Sequence, residues 1–149
     1  MTMPSNVTTI GFTKTNAKGF FGRLVSASVK ILYDVRLHNT SQLSGFAKAD
    51  DLAFFLEKIG GIKYQHLPLL APTDNMLKAF KRDKGDWDEY QKKFLNLMLE
   101  RKIEERFNPS QFEDSCLLCS EATPHHCHRR LVCEYLNSKW GGALQVNHL

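Results

Sequence analysis

Short runs typical of β-strands alternate with helical stretches along this chain of 149 residues, and no other feature constrains its fold as strongly. The candidate strands are rich in β-branched and apolar residues. They lie at residues 7–12, 31–36, 62–68, 115–120 and 144–149. Strands joined by helices form right-handed crossover units whose strands run parallel. The alternation therefore predicts an α/β fold, in which residues 1–149 form a single three-layer domain with a mostly parallel sheet flanked by helices.

The predicted helices follow from apolar residues that recur every three or four positions. One helix is predicted within residues 17–29, and a second is expected to use Asp50 or Asp51 as its cap. A longer helix is predicted from about residue 87 to residue 106, where Asn108-Pro109 ends it.

The charge of the chain is concentrated near its start. Residues 1–40 hold five basic side chains and one acidic one, so they carry the whole formal net charge of +4. This excess is too small to identify a nucleic-acid-binding protein, but it leaves room for a local anion site. No apolar run approaches the roughly 18 residues of a membrane helix, and residues 1–6 do not resemble a signal peptide. We therefore expect a cytoplasmic protein without a membrane partner.

Four cysteines fall within 18 residues of one another, at positions 116, 119, 127 and 133. A disulfide framework would spread its cysteines through a small secreted chain. The clustering instead predicts reduced thiols with a core, metal-binding or chemical role.

The stretch from Cys119 to Arg129 is the densest in reactive side chains, and it links a strand end to a helix start. The positive field of a helix N-terminus favours a thiolate, which makes Cys127 the best candidate nucleophile. His128 or His126 is a candidate proton donor or acceptor, and Glu121 is suited to orient either ring. The alternative is that Cys127 and His128 only cap and pack the helix.

Asp34 and Arg36 end another predicted strand, two residues apart and therefore on the same face. A buried Asp needs a partner, which Arg36 supplies. Together with Arg129, Arg36 could bind a phosphate or carboxylate through its planar guanidinium. An internal ion pair that only shapes the loop is the alternative.

Zinc is a competing interpretation of the cysteine cluster. Cys116, Cys119 and Cys127, with one of the three histidines at 125, 126 and 128, would supply four ligands. However, residues three apart on a strand point to opposite faces, so Cys116 and Cys119 are not expected to share one ion.

The chain resembles the family known as domain of unknown function 488 over about residues 8–149. The resemblance rests on four segments. Its most specific element is a Cys-x-Glu sequence followed by Cys-His-Arg, both in the fourth segment. The segments are 9–13, 34–36, 61–68 and 117–129. It implies a three-layer α/β domain and one shared site without naming a reaction. The implied site residues are Asp34, Arg36, Cys119, Glu121, Cys127, His128 and Arg129. Phe12 stands where the family commonly has His.

These observations lead to one leading hypothesis and two alternatives. The first is a thiol-containing cleft for an anionic small molecule at the carboxyl edge of the sheet, which an enzyme acting on a phosphorylated or nucleotide-derived substrate would need. Arg36 and Arg129 would bind the anion, Cys127 would react, and Asp34 and Cys119 would orient their neighbours. The hypothesis includes neither a cofactor nor a metal.

The alternatives belong to other classes of function. One is a non-catalytic nucleic-acid-associated module that uses basic residues near the start of the chain. Those residues are Lys14, Lys18, Arg23 and Lys30. The other is a structural zinc protein. The sequence does not indicate an oligomeric state.

Overall fold

Five parallel strands form one sheet in the computed structural model, which describes residues 4–12, 15–38, 45–82, 85–119 and 127–149. The strand order is β3-β2-β4-β1-β5. The strands are β1 (Ser5–Gly11), β2 (Ile31–Asp34), β3 (Lys63–His66), β4 (Ser115–Cys119) and β5 (Leu144–His148). The predicted α/β fold with a parallel sheet is confirmed, although β2 ends at Asp34 rather than at Arg36.

Helices cover both faces of this sheet. They are α1 (Ala17–Ser26), α2 (Ala49–Gly60), α3 (Asp74–Leu77), α4 (Trp87–Arg101), α5 (Ile103–Arg106) and α6 (His128–Lys139). The side chains of α1 and α2 pack on one face, and those of α4, α5 and α6 pack on the other. Within the described ranges, no helix is long and apolar enough to cross a membrane.

Two predicted helix boundaries were wrong. Lys48, not Asp50 or Asp51, is the N-cap of α2, and the two aspartates lie in its first turn. There they still favour the helix, because the N-terminal end of a helix carries partial positive charge. The long helix predicted up to residue 106 is interrupted at Lys102, whose φ of 52° lies in the left-handed region.

Strand β4 lies at the centre of the sheet and is buried along its whole length. Cys116 packs with the α1–α2 face, whereas Cys119 packs with the opposite face. Cys119 pairs in register with Gly11 at the end of β1, and Leu118 pairs with Asp34 at the end of β2. Parallel pairing thus brings three strand ends together, at the edge where such sheets bind ligands.

Candidate functional site

Three side chains from β4 and α6 converge at this carboxyl edge. Cys119 is the last residue of β4, Cys127 is the N-cap of α6, and His128 is the first residue of that helix. All three are buried, and one ligand atom from each lies within 4.8 Å of the other two. We refer to Cys119, Cys127 and His128 as the Cys/His cluster.

The two cysteines of the cluster are joined. Their Sγ atoms are in disulfide contact across a sequence separation of 8, with the Cα atoms 7.3 Å apart. The expectation that all four cysteines are reduced thiols is therefore wrong for Cys119 and Cys127 in this state. The end of β4 and the start of α6 lie next to each other at the sheet edge, which brings the two sulfurs within reach of each other.

Cys116 and Cys133 are free and buried. Burial raises the pKa of each thiol to about 12, so both remain protonated at neutral pH. Cys116 also lies on the opposite face of the sheet from Cys119. The structure therefore rules out a zinc site that contains both Cys116 and Cys119.

His128 is held in one orientation by the backbone of the neighbouring strand. Its Nε2 lies 2.6 Å from the carbonyl oxygen of Val35, just beyond β2. Its ring packs on that of Phe94, with 5.5 Å between the ring centres. Since a carbonyl only accepts hydrogen bonds, Nε2 carries the proton in the neutral ring and Nδ1 carries the lone pair.

Arg129 is fully buried beside the cluster. Its Nη1 donates to the Sγ of Cys119 at 3.4 Å, and its Nε donates to the Oγ1 of Thr9 at 3.1 Å. The same Oγ1 lies 2.5 Å from the Nδ1 of His148 on β5. These contacts connect β1, β4, β5 and α6. They also bring the positive charge of Arg129 into contact with the sulfur of Cys119.

The N-terminal end of α6 concentrates positive charge. Its first turn contains no acidic residue, and Cys127 provides no side-chain cap. Arg129 and Arg130 follow directly, and the only acidic contact of Arg130 within the described residues is Glu134, with Nη1 and Oε2 3.6 Å apart. Basic side chains and the helix dipole repel each other here, so the local field favours a bound anion.

Asp34 and Arg36 form a buried ion pair near the cluster. The Nε and Nη2 of Arg36 each donate to an oxygen of Asp34 at 2.8 Å, and Nη2 also donates to the carbonyl of Ala47 at 2.8 Å. The guanidinium carbon lies 5.3 Å from the ring centre of Phe12. The structure thus contains the pair expected from sequence, with two nitrogens of Arg36 already engaged.

Tyr64 is a member of this ion-pair network that sequence reasoning did not assign. Its hydroxyl donates to the Oδ2 of Asp34 at 2.6 Å, while the Nε2 of His66 lies 2.7 Å from the carbonyl oxygen of Arg36. Tyr64 and His66 share a face of β3 because they are two residues apart. This alternation could have assigned Tyr64 to the network from the sequence, since His66, on the same face of β3, pairs in register with Asp34.

The remaining predicted site residue, Glu121, lies outside the described residues, as do His125 and His126. Among the basic residues of the nucleic-acid alternative, Lys18 and Arg23 both lie on α1 and line one groove. Lys30 is paired with Asp114, with Nζ and Oδ2 3.3 Å apart, whereas Lys18 is exposed on α1. Lys14 also lies outside the described residues.

Comparisons with known proteins gave one family. Neither the search of curated proteins nor the search of solved structures found a match. A family model described as domain of unknown function DUF488 matches residues 16–136, most of the chain. This range contains the Asp34–Arg36 pair and the whole Cys/His cluster, and the chain therefore belongs to the domain of unknown function DUF488 family.

Proposed function

We propose that the carboxyl edge of the sheet binds an anionic small molecule, of a phosphorylated or nucleotide-derived class, and that the cysteines of the cluster act on it. The observation that carries the proposal is the fully buried guanidinium of Arg129, which donates to the sulfur of Cys119. A positive charge next to a cysteine sulfur favours the thiolate over the thiol, and it also attracts an anion that binds close by.

The proposed roles follow from the contacts of each residue. Arg129 and the backbone N–H groups that begin α6 attract the anion, and Arg130 adds charge at the rim. Arg36 contributes less to anion binding than the sequence suggested, because Asp34 and Ala47 occupy two of its nitrogens. We assign the Asp34–Arg36 pair to positioning the loop that presents the Val35 carbonyl to His128.

The reactivity of Cys127 depends on the redox state of its pair. A thiol reductant supplies two electrons and two protons and is itself oxidised to a disulfide, which converts the Cys119–Cys127 disulfide into two thiols. The loss of one proton from Cys127 then gives the thiolate that attacks. Attack forms a bond between the Cys127 sulfur and the substrate, while the leaving group departs with its electron pair. We propose that His128 supplies or accepts the proton and that Glu121 assists it.

Anion binding is tested by calorimetric titration of the reduced protein with phosphate and with a nucleoside monophosphate. We expect Arg129→Gln to weaken binding about tenfold or more, because a charge-assisted hydrogen bond is lost. Arg129→Lys, which keeps the charge, should lose less. Arg23 is a half-buried arginine on α1, and Arg23→Gln is therefore the matched control. This variant should bind the anion as the wild type does.

A second measurement covers the case in which Arg129→Gln does not fold. Phosphate should raise the melting temperature of the wild-type protein more than chloride does at equal ionic strength, because a ligand that binds only the folded state stabilises it. Equal melting temperatures in the two salts would contradict the proposal.

Thiol chemistry is tested by alkylation with iodoacetamide followed by mass spectrometry. We expect Cys119 and Cys127 to react only after reduction. Cys116 and Cys133 should stay unmodified at neutral pH, because burial raises their pKa to about 12. If Cys127 of the reduced protein reacts no faster than Cys116, the nucleophile assignment is wrong.

A further inference from the structure

We propose that the reduced Cys/His cluster binds one Zn²⁺ ion, with the Sγ atoms of Cys119 and Cys127 and the Nδ1 of His128 as its ligands. This inference goes beyond the proposed function, which needs no metal. It also differs from the zinc alternative drawn from sequence, since that set included Cys116.

The chemistry and the spacing of the donors fit zinc. Two thiolates and a neutral imidazole form a donor set typical of Zn²⁺. Ligand atoms bound to one tetrahedral Zn²⁺ lie about 3.5–3.8 Å apart, given Zn–S bonds of about 2.3 Å and Zn–N bonds of about 2.0–2.1 Å. The two sulfurs and one ring nitrogen of His128 already lie within 4.8 Å of one another, so small side-chain rotations suffice to bind an ion.

The backbone around the two cysteines favours a shared ion over a permanent disulfide. The Cα atoms of Cys119 and Cys127 are 7.3 Å apart, and relaxed disulfides usually span about 4.4–6.8 Å between Cα atoms. An ion between the sulfurs would move them apart and suit this backbone spacing without a shift of β4 or α6.

The surroundings of the cluster resemble those that metal sites require. Metal-binding histidines usually donate their second ring N–H to a carbonyl or carboxylate, which fixes the ring and increases its basicity. The contact between the Nε2 of His128 and the carbonyl of Val35 meets this requirement, and it leaves Nδ1 with the lone pair. The bond from Arg129 to the sulfur of Cys119 likewise favours the thiolate that an ion needs.

The loaded cluster would still be able to bind an anion. Two thiolates neutralise the charge of one Zn²⁺, and the guanidinium of Arg129 lies next to the sulfur of Cys119. The three ligands that the described residues supply leave one tetrahedral position for water or for an anion, as in catalytic rather than structural zinc sites. A bound ion would also occupy the Cys127 thiolate, so zinc binding and alkylation of Cys127 exclude each other.

The test is an anaerobic titration of the full-length reduced protein with Co²⁺, which replaces Zn²⁺ and absorbs light. We expect about one equivalent to produce a thiolate-to-cobalt charge-transfer band and visible bands of tetrahedral intensity. Added Zn²⁺ should abolish both. Absence of the charge-transfer band in the folded, reduced wild-type protein would overturn the inference.

Variants identify the ligands. Cys119→Ser and Cys127→Ser should each lose most of the charge-transfer intensity. His128→Ala should weaken binding by at least about 100-fold, since even loss of an outer-shell partner costs about 10–100-fold. Cys116→Ala and Cys133→Ala are the matched controls and should bind as the wild type does; a loss of the band in either control, with Cys119→Ser unaffected, would contradict the assignment.

The wild-type protein provides a further readout if the cluster variants do not fold. Zn²⁺ should protect Cys119 and Cys127 of the reduced protein from alkylation, and a chelator should restore their reactivity. Unchanged alkylation in Zn²⁺ refutes the metal site but leaves the proposed thiol function intact. Protection by Zn²⁺ together with no effect of phosphate supports the metal site and contradicts the anion function.

Discussion

At the scale of single residues, the buried ion pair of Asp34 and Arg36 carries a high desolvation cost. Both side chains are buried, and Asp34 accepts hydrogen bonds from the Arg36 side chain, the Arg36 backbone and Tyr64. Removing two charges from water is expensive, and only good geometry with further hydrogen bonds compensates for it. Each charge of the pair therefore depends on the other.

Removal of either partner should destabilise the protein strongly. We expect Asp34→Ala to lower the free energy of unfolding by about 3–5 kcal/mol, because it leaves the guanidinium of Arg36 buried without its counter-charge. The double variant Asp34→Ala/Arg36→Ala should lose less than the sum of the two single variants. Urea unfolding at neutral pH measures all three, and additive losses would show that the pair is not coupled.

His148 gives the protein a dependence on pH that is local in origin. Two causes lower the pKa of His148 from its usual value near 6.5. Partial burial is the larger, and the positive charge of Arg129 is the next. The folded state therefore binds this proton less readily than the unfolded chain does, and stability is lost as the pH falls below about 6.5.

The variant His148→Asn should remove this acid sensitivity. We expect its free energy of unfolding to fall less than that of the wild type between about pH 7 and about pH 5. Urea unfolding at the two pH values measures the difference. Parallel losses in the two proteins would exclude a contribution from His148.

At the scale of elements, the junction between α4 and α5 carries a backbone cost that sequence periodicity did not indicate. Lys102 adopts a φ of 52° and ends α4, a conformation that costs a residue with a Cβ atom about 1–2 kcal/mol. Ile103, directly after it, is fully buried. We infer that the break is retained because it turns Ile103 into the core.

Glycine at this junction should stabilise the protein. We expect Lys102→Gly to raise the free energy of unfolding by about 0.5–1 kcal/mol, since glycine adopts the left-handed conformation without steric cost. Glu100→Gly, an exposed position inside α4, is the matched control and should lower it by about 0.5–1 kcal/mol. Thermal or urea unfolding decides, and a loss in both variants would contradict the account of the junction.

Elements with a strong local signal were predicted well from sequence. The five strands were found because short β-branched or apolar runs stand between helical patterns, and the continuous apolar run of β4 agrees with its burial along the whole strand. The break at Lys102 was missed because the flanking residues keep a helical pattern and no Gly or Pro marks the site. Tertiary packing, which sequence periodicity does not record, fixes that boundary.

The candidate site was predictable only where strand topology determines it. Cys119, Asp34 and the start of α6 were placed at one edge by the rule for parallel sheets. The contact between Cys119 and Cys127, and the donation from His128 to Val35, depend on how α6 sits over β4. Such distances arise from packing between elements distant in sequence, so the sequence led to reduced thiols for all four cysteines and did not indicate the contact between Cys119 and Cys127.

At the scale of the whole molecule, the two faces of the sheet should contribute differently to function. Phe94 and Phe20 are both fully buried, on opposite faces, and Phe94 packs against the ring of His128. We expect Phe94→Ala and Phe20→Ala each to lower the free energy of unfolding by about 3–5 kcal/mol. Only Phe94→Ala should also weaken phosphate binding, because it removes a support of His128. Unfolding and calorimetric titration below the melting temperature test this, and equal binding by the two variants would refute it.

The place of β4 in the sheet determines when the protein can fold during its synthesis. β4 lies between β1 and β2, although it follows both by a long stretch of chain; Thr8 bonds to Ser115 across 107 residues. The inner edges of β1 and β2 must wait for it, because these two strands pair with β4 and not with each other. Such distant pairing slows folding and exposes strand edges to other chains. We therefore expect Cys119 and Cys127 to be brought together only after residue 127 has left the ribosome, when β4 can pair with β1 and β2 and α6 can pack on the sheet.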